Sequence, residues 1–200
     1  MLRVGVMTES KATIRHHHAL VESLPTRLEG PILLQPKIHR DKRGFFIETY
    51  RASELADLGV DEEWVQDNHS RSSMGIVRGM HYQPGMAKLV RCSRGGIVDV
   101  LVDIRRGSPA FGQWEAFELD DENLRILYCP DGFAHGFVVT SEVADVVYKC
   151  STYYDPEAES GISFRDPDIG IEWPDVDLIP SERDEQAPLL KDVADELPFA

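Results

Sequence analysis

An arginine and a histidine stand three positions apart in Gly75-Ile76-Val77-Arg78-Gly79-Met80-His81-Tyr82-Gln83-Pro84, behind a glycine turn and inside a stretch with strand character. A second histidine follows in Pro130-Asp131-Gly132-Phe133-Ala134-His135-Gly136-Phe137, and a tyrosine in Val146-Val147-Tyr148-Lys149. Imidazole changes charge near neutral pH and serves as a base. Guanidinium matches phosphate geometry, and a phenol supplies a proton where one is needed. Such a set is equipped to move a proton on an anionic substrate. Lys88 and Arg91, on the next predicted strand, are placed to stabilise negative charge on an oxygen, as in an enolate or a phosphate. A base histidine also needs an orienting carboxylate on its far ring nitrogen, and spacing alone does not reveal which acid that is. Each residue has a plainer reading as well. His81 reads equally as a satisfied core histidine, Arg78 as a salt-bridged strand residue, Tyr148 as core, and His135 as a metal ligand, a substrate contact or a structural residue. The chemical reading rests on finding them together.

The elements that must position them are mostly strands. Residues 96–104 form a short β-branched run with Asp99 and Asp103 spaced for one face. Residues 111–119 alternate, residues 120–123 make a turn, and residues 124–129 make another strand. Residues 137–140 and 143–148 read as a hairpin around Ser141-Glu142. Only residues 52–58, ending at Gly59, read as a helix. Many short strands punctuated by Gly and Pro predict an all-β sandwich or barrel. Residues 1–29 read as a flexible N-terminal extension, including the run Arg15-His16-His17-His18, which reads as natural, as a purification remnant or as a contaminant-metal site rather than as a designed ligand set. Residues 30–193 read as the folded domain. The acidic end from residue 188 reads as a surface segment, with residues 194–200 as a C-terminal tail.

The chain has 200 residues, 42% of them hydrophobic, which suits one domain with tails. No apolar run approaches a membrane span, and the polar Thr8-Glu9-Ser10-Lys11 ends the first apolar residues before a secretory signal forms. The expectation is a soluble, cytoplasmic protein. Cys92, Cys129 and Cys150 are an odd, sparse set without C-x-x-C spacing and read as buried free thiols. The formal net charge is −14, yet residues 37–106 hold 12 Lys/Arg against 10 Asp/Glu. An acidic surface disfavours nucleic acid, while the locally positive stretch suits a small anion.

The Pro130-x-Gly132-x-x-His135 turn resembles the second motif of the cupin superfamily. The first motif of that superfamily supplies two histidines and a glutamate, whereas this chain has His81-Tyr82-Gln83 with no glutamate following. One or two histidines make a poor metal site, so no metal is expected in the jelly roll. The chain further resembles the dTDP-4-dehydrorhamnose 3,5-epimerase family over residues 36–193. The markers occur in order. They are Arg43-Gly44-Phe45-Phe46-Ile47-Glu48, Gln66-Asp67-Asn68-His69-Ser70, Arg78-Gly79-Met80-His81-Tyr82-Gln83, Lys88-Leu89-Val90-Arg91 and Val102-Asp103-Ile104-Arg105-Arg106-Gly107-Ser108-Pro109. The His135 turn, Tyr148-Lys149, Tyr153-Tyr154, residues 166–174 and Ser181-Glu182-Arg183-Asp184 follow.

That resemblance implies a cupin-type jelly-roll homodimer, without cofactor, acting on a dTDP-linked 4-keto-6-deoxy sugar. It implies His81 as the base, Asp184 as its carboxylate partner, Lys88 beside the enolate oxygen and Tyr148 as the acid on the opposite face. It further implies substrate contacts from Arg78, Gln66, Asp67, Asn68, His135 and Glu159, with Arg183 standing where many members have lysine. Arg43 and Glu48 match residues that reach the nucleotide across the dimer interface. The segment between His81 and Lys88 is shorter than in many members. The alternatives are a 3-only or 5-only epimerase, a metal-dependent cupin, and a non-catalytic sugar-nucleotide binder. A binder has no need of base, partner, lysine and tyrosine together.

Overall fold

The computed structural model describes residues 21–199; the first twenty residues, with the run of three histidines, lie outside them. The chain runs through β1 (Val21–Leu24), β2 (Ile32–Pro36), β3 (His39–Asp41) and β4 (Gly44–Phe46) into helix α1 (Ala52–Asp57). Next come β5 (Gln66–Ser73), β6 (Val77–Tyr82), β7 (Lys88–Arg94), β8 (Gly96–Asp103) and β9 (Trp114–Asp120). β10 (Ile126–Cys129), β11 (Phe133–Val139), β12 (Val143–Cys150) and β13 (Ser160–Gly161) complete the strands, before α2 (Glu182–Glu185) and α3 (Leu190–Val193). They build a jelly roll of two main sheets. One has six strands in the order β1-β2-β10-β7-β12-β5, and the other five in the order β13-β6-β11-β8-β9.

The sheets face each other across a core that includes Leu33, Val90 and Leu127 from one side and Leu101, Phe117, Phe133 and Phe137 from the other. β9 shows why its sequence makes a strand. Glu115, Phe117 and Leu119 point inward while Ala116 and Glu118 face out, the two-residue period of a pleat. The five-stranded sheet is covered on its back as well. There Met80, Val100, Val102 and Val138 meet Ile162, Phe164, Leu190, Leu197 and Phe199 of the C-terminal segment. A smaller cluster of Leu34, Leu55, Val60, Leu89 and Ile126 packs α1 against the outside of the six-stranded sheet.

Three expectations change here. Residues 137–140 and 143–148 are no hairpin. β11 pairs with β6 and β8, whereas β12 pairs with β5 and β7, so the chain crosses between sheets at Ser141-Glu142. Residues 21–29, read as part of an extension, join the fold. β1 pairs with β2, and the buried Glu115 carboxylate accepts the backbone N–H groups of Arg27 and Leu28 at 2.8–2.9 Å. The C-terminal residues likewise pack inward, with Leu197 and Phe199 buried. Each such side chain contributes about 1.5–3 kcal/mol.

Two motifs turn out to hold the frame. Asp103, wholly buried at the end of β8, accepts from Arg105 and from the Ser108 hydroxyl. The Arg105 guanidinium in turn lies 4.5 Å from the Phe133 ring centroid. Burial alone would raise the Asp103 carboxyl, but these donors outweigh it and hold it below its ordinary value. On the outer face of β12, the hydrogen bond from Arg71 leads the contacts, with His69 adding to it, that hold Asp145 down to about 2.

β6 and β11 approach closely where Gly79 meets Gly136. A Cβ on Gly79 would lie 2.4 Å from the Gly136 Cα, and Gly79 has φ +132°, a region only glycine enters without strain. Gly79→Ala is therefore expected to destabilise by about 2–4 kcal/mol, read as a lower urea midpoint; an unchanged midpoint would contradict the contact. A carboxyl held low in the folded state stabilises above its unfolded pKa and loses that contribution as pH falls through the folded value. Asp145→Asn should accordingly flatten the acid limb between about pH 4 and about pH 2, measured as Tm against pH. The same limb in both proteins would remove Asp145 from the explanation.

Candidate active site

The mouth between the sheets opens into a cavity of about 440 Å³, the size of a small-ligand site. Its lining includes Arg78, His81, Lys88, His135, Tyr148 and Asp184. Strand alternation and sheet pairing bring these together. His81 on β6 stands directly across from His135 on β11, side by side because Gly79 and Gly136 let the strands close up. Lys88 and Tyr148 reach the same cavity from β7 and β12 of the other sheet. His81 and Tyr148 therefore occupy opposite walls.

His81 Nε2 lies 2.6 Å from Asp184 Oδ1, so the carboxylate that spacing could not identify is on α2. Ser181 caps that helix by accepting the Asp184 N–H at 3.1 Å, the usual serine role at a helix start. Asp184 is almost wholly buried. Burial would raise its carboxyl, but the hydrogen bond and charge of His81, with Ser181 and the Gly79 backbone, hold it below the ordinary value. On its other side the His81 ring packs over Gly161, where an added Cβ would come within 3.4 Å of Cδ2.

Burial pushes the Tyr148 phenol up, and nearby Cys150 and Glu159 add to this, while Arg78 and a hydrogen bond with Asn68 oppose it. The phenol thus keeps its proton well beyond neutral pH, the state an acid needs. Lys88 is flanked across the sheet by Cys129 of β10 and Cys150 of β12. Burial raises both thiols, Cys129 strongly, so Lys88 stands between neutral neighbours. Arg78 donates to the Ser72 hydroxyl at 3.1 Å. At the rim, Arg183 Nη1 donates to Glu159 Oε2 at 2.6 Å, and Tyr154 donates to the same oxygen at 3.2 Å.

Other expected contacts are placed elsewhere. Within Gln66-Asp67-Asn68 the pleat turns Asn68 inward, where its amide meets Cys150 Sγ at 3.5 Å. Asp67 faces the outside and pairs with Lys149 at 2.9 Å. Gln66 does not line the cavity; it bonds Asn68 Oδ1 and accepts the Tyr154 N–H. Arg43 and Glu48 do not line it either. They sit on and just after the β3–β4 hairpin, paired with Asp41 and Arg51. Sequence reasoning missed Asp99, which is wholly buried with Oδ2 3.0 Å from His135 Nε2. Its signal was a carboxylate inside an otherwise β-branched run. Asp99, Cys129 and His135 offer ligand atoms all within 4.8 Å of one another. Among the described residues no helix is long and apolar enough to cross a membrane.

Two facing sheets with a polar cavity at the mouth between them define a cupin-type fold. Residues 25–192 match the model of the dTDP-4-dehydrorhamnose 3,5-epimerase family, and the chain belongs to that family. It is 49% identical over 175 residues to the dTDP-4-dehydrorhamnose 3,5-epimerase of Pseudomonas aeruginosa, covering 84% of this chain and 96% of that protein. The crystal structure of the 3,5-epimerase from Legionella pneumophila, in complex with dTDP-4-keto-L-rhamnose, superposes with a TM-score of 0.87 at 43% identity. That match covers 90% of this chain and 98% of the other. A dTDP-4-dehydrorhamnose 3-epimerase of Streptomyces niveus is 39% identical over 175 residues, 86% of this chain and 84% of that protein.

Proposed function

We propose that the protein epimerises C3 and C5 of dTDP-4-dehydro-6-deoxy-D-glucose to dTDP-4-dehydro-L-rhamnose. The observation that carries this reading is the paired His81–Asp184 on one wall of the cavity with Tyr148 and Lys88 on the other. The C4 ketone acidifies the protons at C3 and C5. His81 removes one, Asp184 holds the ring and balances the imidazolium, and Lys88 lies where charge develops on the enolate oxygen. Tyr148 returns a proton from the opposite face, which inverts the carbon. Arg78 and Arg183 serve the diphosphate, with Asn68 and His135 at the sugar and Glu159 at the rim. Gln66 contributes through the Tyr154 loop it holds, and Asp67 through its pair with Lys149, rather than from the cavity wall. General acid–base catalysis by such groups is typically worth ~10²–10⁴-fold.

The reaction runs in the cytoplasm on this reading. The three cysteines are buried free thiols, which suits a reducing compartment. The working unit is a homodimer. The β3–β4 hairpin presents Phe45 and Phe46 at 51% and 65% exposure beside Arg43, and in one chain neither Arg43 nor Glu48 reaches the cavity. Their place is the partner's nucleotide site. A second reading, inversion at C3 alone, is favoured by the likeness to the Streptomyces niveus 3-epimerase.

Proton NMR of dTDP-4-keto-6-deoxyglucose in D₂O tests the function. Deuterium is expected at both C3 and C5; exchange at one carbon selects the mono-epimerase, and none with folded protein rejects this substrate. His81→Ala should lower turnover by ~10²–10⁴-fold. Tyr148→Phe should lose net inversion while retaining exchange, and undiminished inversion would remove Tyr148 from the mechanism. For the dimer, inactive Arg43→Ala and His81→Ala subunits should regain activity when refolded together, because one site of the hybrid then holds both native residues. No recovery despite hybrid formation would count against a shared site.

A further inference from the structure

The inward positions of β5 carry three short polar side chains in succession, Asn68, Ser70 and Ser72. Two of them are satisfied inside the protein. The Asn68 amide meets Cys150 Sγ and accepts from Gln66, and the Ser72 hydroxyl accepts from Arg78 at 3.1 Å. Ser70 differs. Its Oγ is shut away from solvent and, among the described residues, has no hydrogen-bond partner. Yet the residue lines the cavity between the sheets. Its cross-strand neighbour is Val146, and Val77 and Phe137 line the same cavity, so the apolar side chains around it offer nothing to bond. A buried hydroxyl left unpaired is unfavourable, and this one belongs to a wall that a ligand must touch.

The register of the wall decides which part of a ligand that is. Ser72 stands opposite Ala144, Ser70 opposite Val146 and Asn68 opposite Tyr148. One step further along β12, Cys150 stands opposite Lys88. The wall therefore presents, in order, Arg78 held by Ser72, then Ser70, then Tyr148, then Lys88. A 4-keto-6-deoxyglucose nucleotide carries its groups in the same order: a diphosphate on C1, a hydroxyl on C2, an acidic C–H at C3 and the oxygen on C4. With Arg78 at the diphosphate, Tyr148 at the inverted carbon and Lys88 at the C4 oxygen, the group beside Ser70 is the C2 hydroxyl.

We infer that Ser70 is a specificity-determining residue, whose hydroxyl pairs with the C2 hydroxyl of the bound sugar and selects 2-hydroxy over 2-deoxy 4-keto sugar nucleotides. Rotation about χ1 among the three staggered positions turns the Oγ from the wall to the ligand. Ser70 takes no part in proton transfer. A sugar without the C2 hydroxyl leaves Ser70 as unpaired as it is in the free protein and forfeits the contact. The inference deepens the epimerase reading and rests on it for the order of groups along the wall.

Deuterium uptake at C3 and C5 is to be compared for dTDP-4-keto-6-deoxyglucose and its 2-deoxy counterpart, in the native protein and in Ser70→Ala. The native protein should favour the 2-hydroxy sugar by ~10-fold in kcat/KM, the worth of one neutral hydrogen bond. Ser70→Ala should lose that factor on the 2-hydroxy sugar and keep its rate on the 2-deoxy sugar, so that the two become equal. A purely structural role would lower both alike, as would a contact with the diphosphate, and either result overturns the inference. A preference that survives in Ser70→Ala overturns it as well. Titration calorimetry with dTDP-glucose and dTDP-2-deoxyglucose, neither of which has the C4 ketone, separates this inference from the reading beneath it. A binding preference for dTDP-glucose that Ser70→Ala abolishes upholds the contact even where the keto sugar shows no exchange, a result that rejects only the epimerase. Equal native affinity for the two ligands overturns the contact even where epimerisation proceeds, and absence of binding by both overturns the two together. If Ser70→Ala does not fold, the native comparison still decides.

Discussion

The five-stranded sheet has no wet face over most of its area. The core between the sheets covers its front, and the C-terminal segment with Phe164, Leu197 and Phe199 covers its back. The polar side chains buried on it must therefore find partners inside the protein. Asp103 finds Arg105 and Ser108, Glu115 finds the Arg27 and Leu28 amides, His81 finds Asp184 and His135 finds Asp99. The first two fasten the chain termini and loops to the barrel. The last two set their imidazole rings at the lining of the cavity between the sheets.

The opposing sheet supplies a different environment. Its cavity-facing row places Lys88 between Cys129 and Cys150 and sets Tyr148 beside Val90 and Asn68. Burial there, first of all, keeps the phenol protonated. In the mechanism proposed above, a carbanion between the layers faces His81 on one wall and Lys88 and Tyr148 on the other. Opposite walls are what inversion at a planar carbon requires, and two packed sheets provide them more rigidly than loops would.

The N-terminal arm departs from this enclosure. Its β3–β4 hairpin keeps Arg43 and Glu48 in local ion pairs and leaves two phenylalanines in solvent. Exposed aromatics beside a cation are an expensive surface for a lone chain, and they suit a second copy of the protein. That second copy is the partner the proposed homodimer supplies.

Much of this was legible in the residues. The alternation of residues 111–119, the β-branched run of β8 and the glycine turns announced a strand-built barrel, and the ordered motifs announced the family. Residue types also marked His81, Lys88 and Tyr148, because few side chains can do their chemistry. Other features depended on three dimensions. The crossing at Ser141-Glu142 looks like a hairpin locally, since strand periodicity says nothing about which sheet a strand joins. Asp99 was visible as an acid in an apolar run, but its partner lies 36 residues away. Asp67 and Asn68 are adjacent, and only the register sent one outward to Lys149 and the other inward to Cys150. Local sequence determines period and chemistry, because both belong to single side chains and their near neighbours. Pairing between distant strands determined which rings met which carboxylates, because that choice is made by burial and hydrogen bonding across the whole barrel.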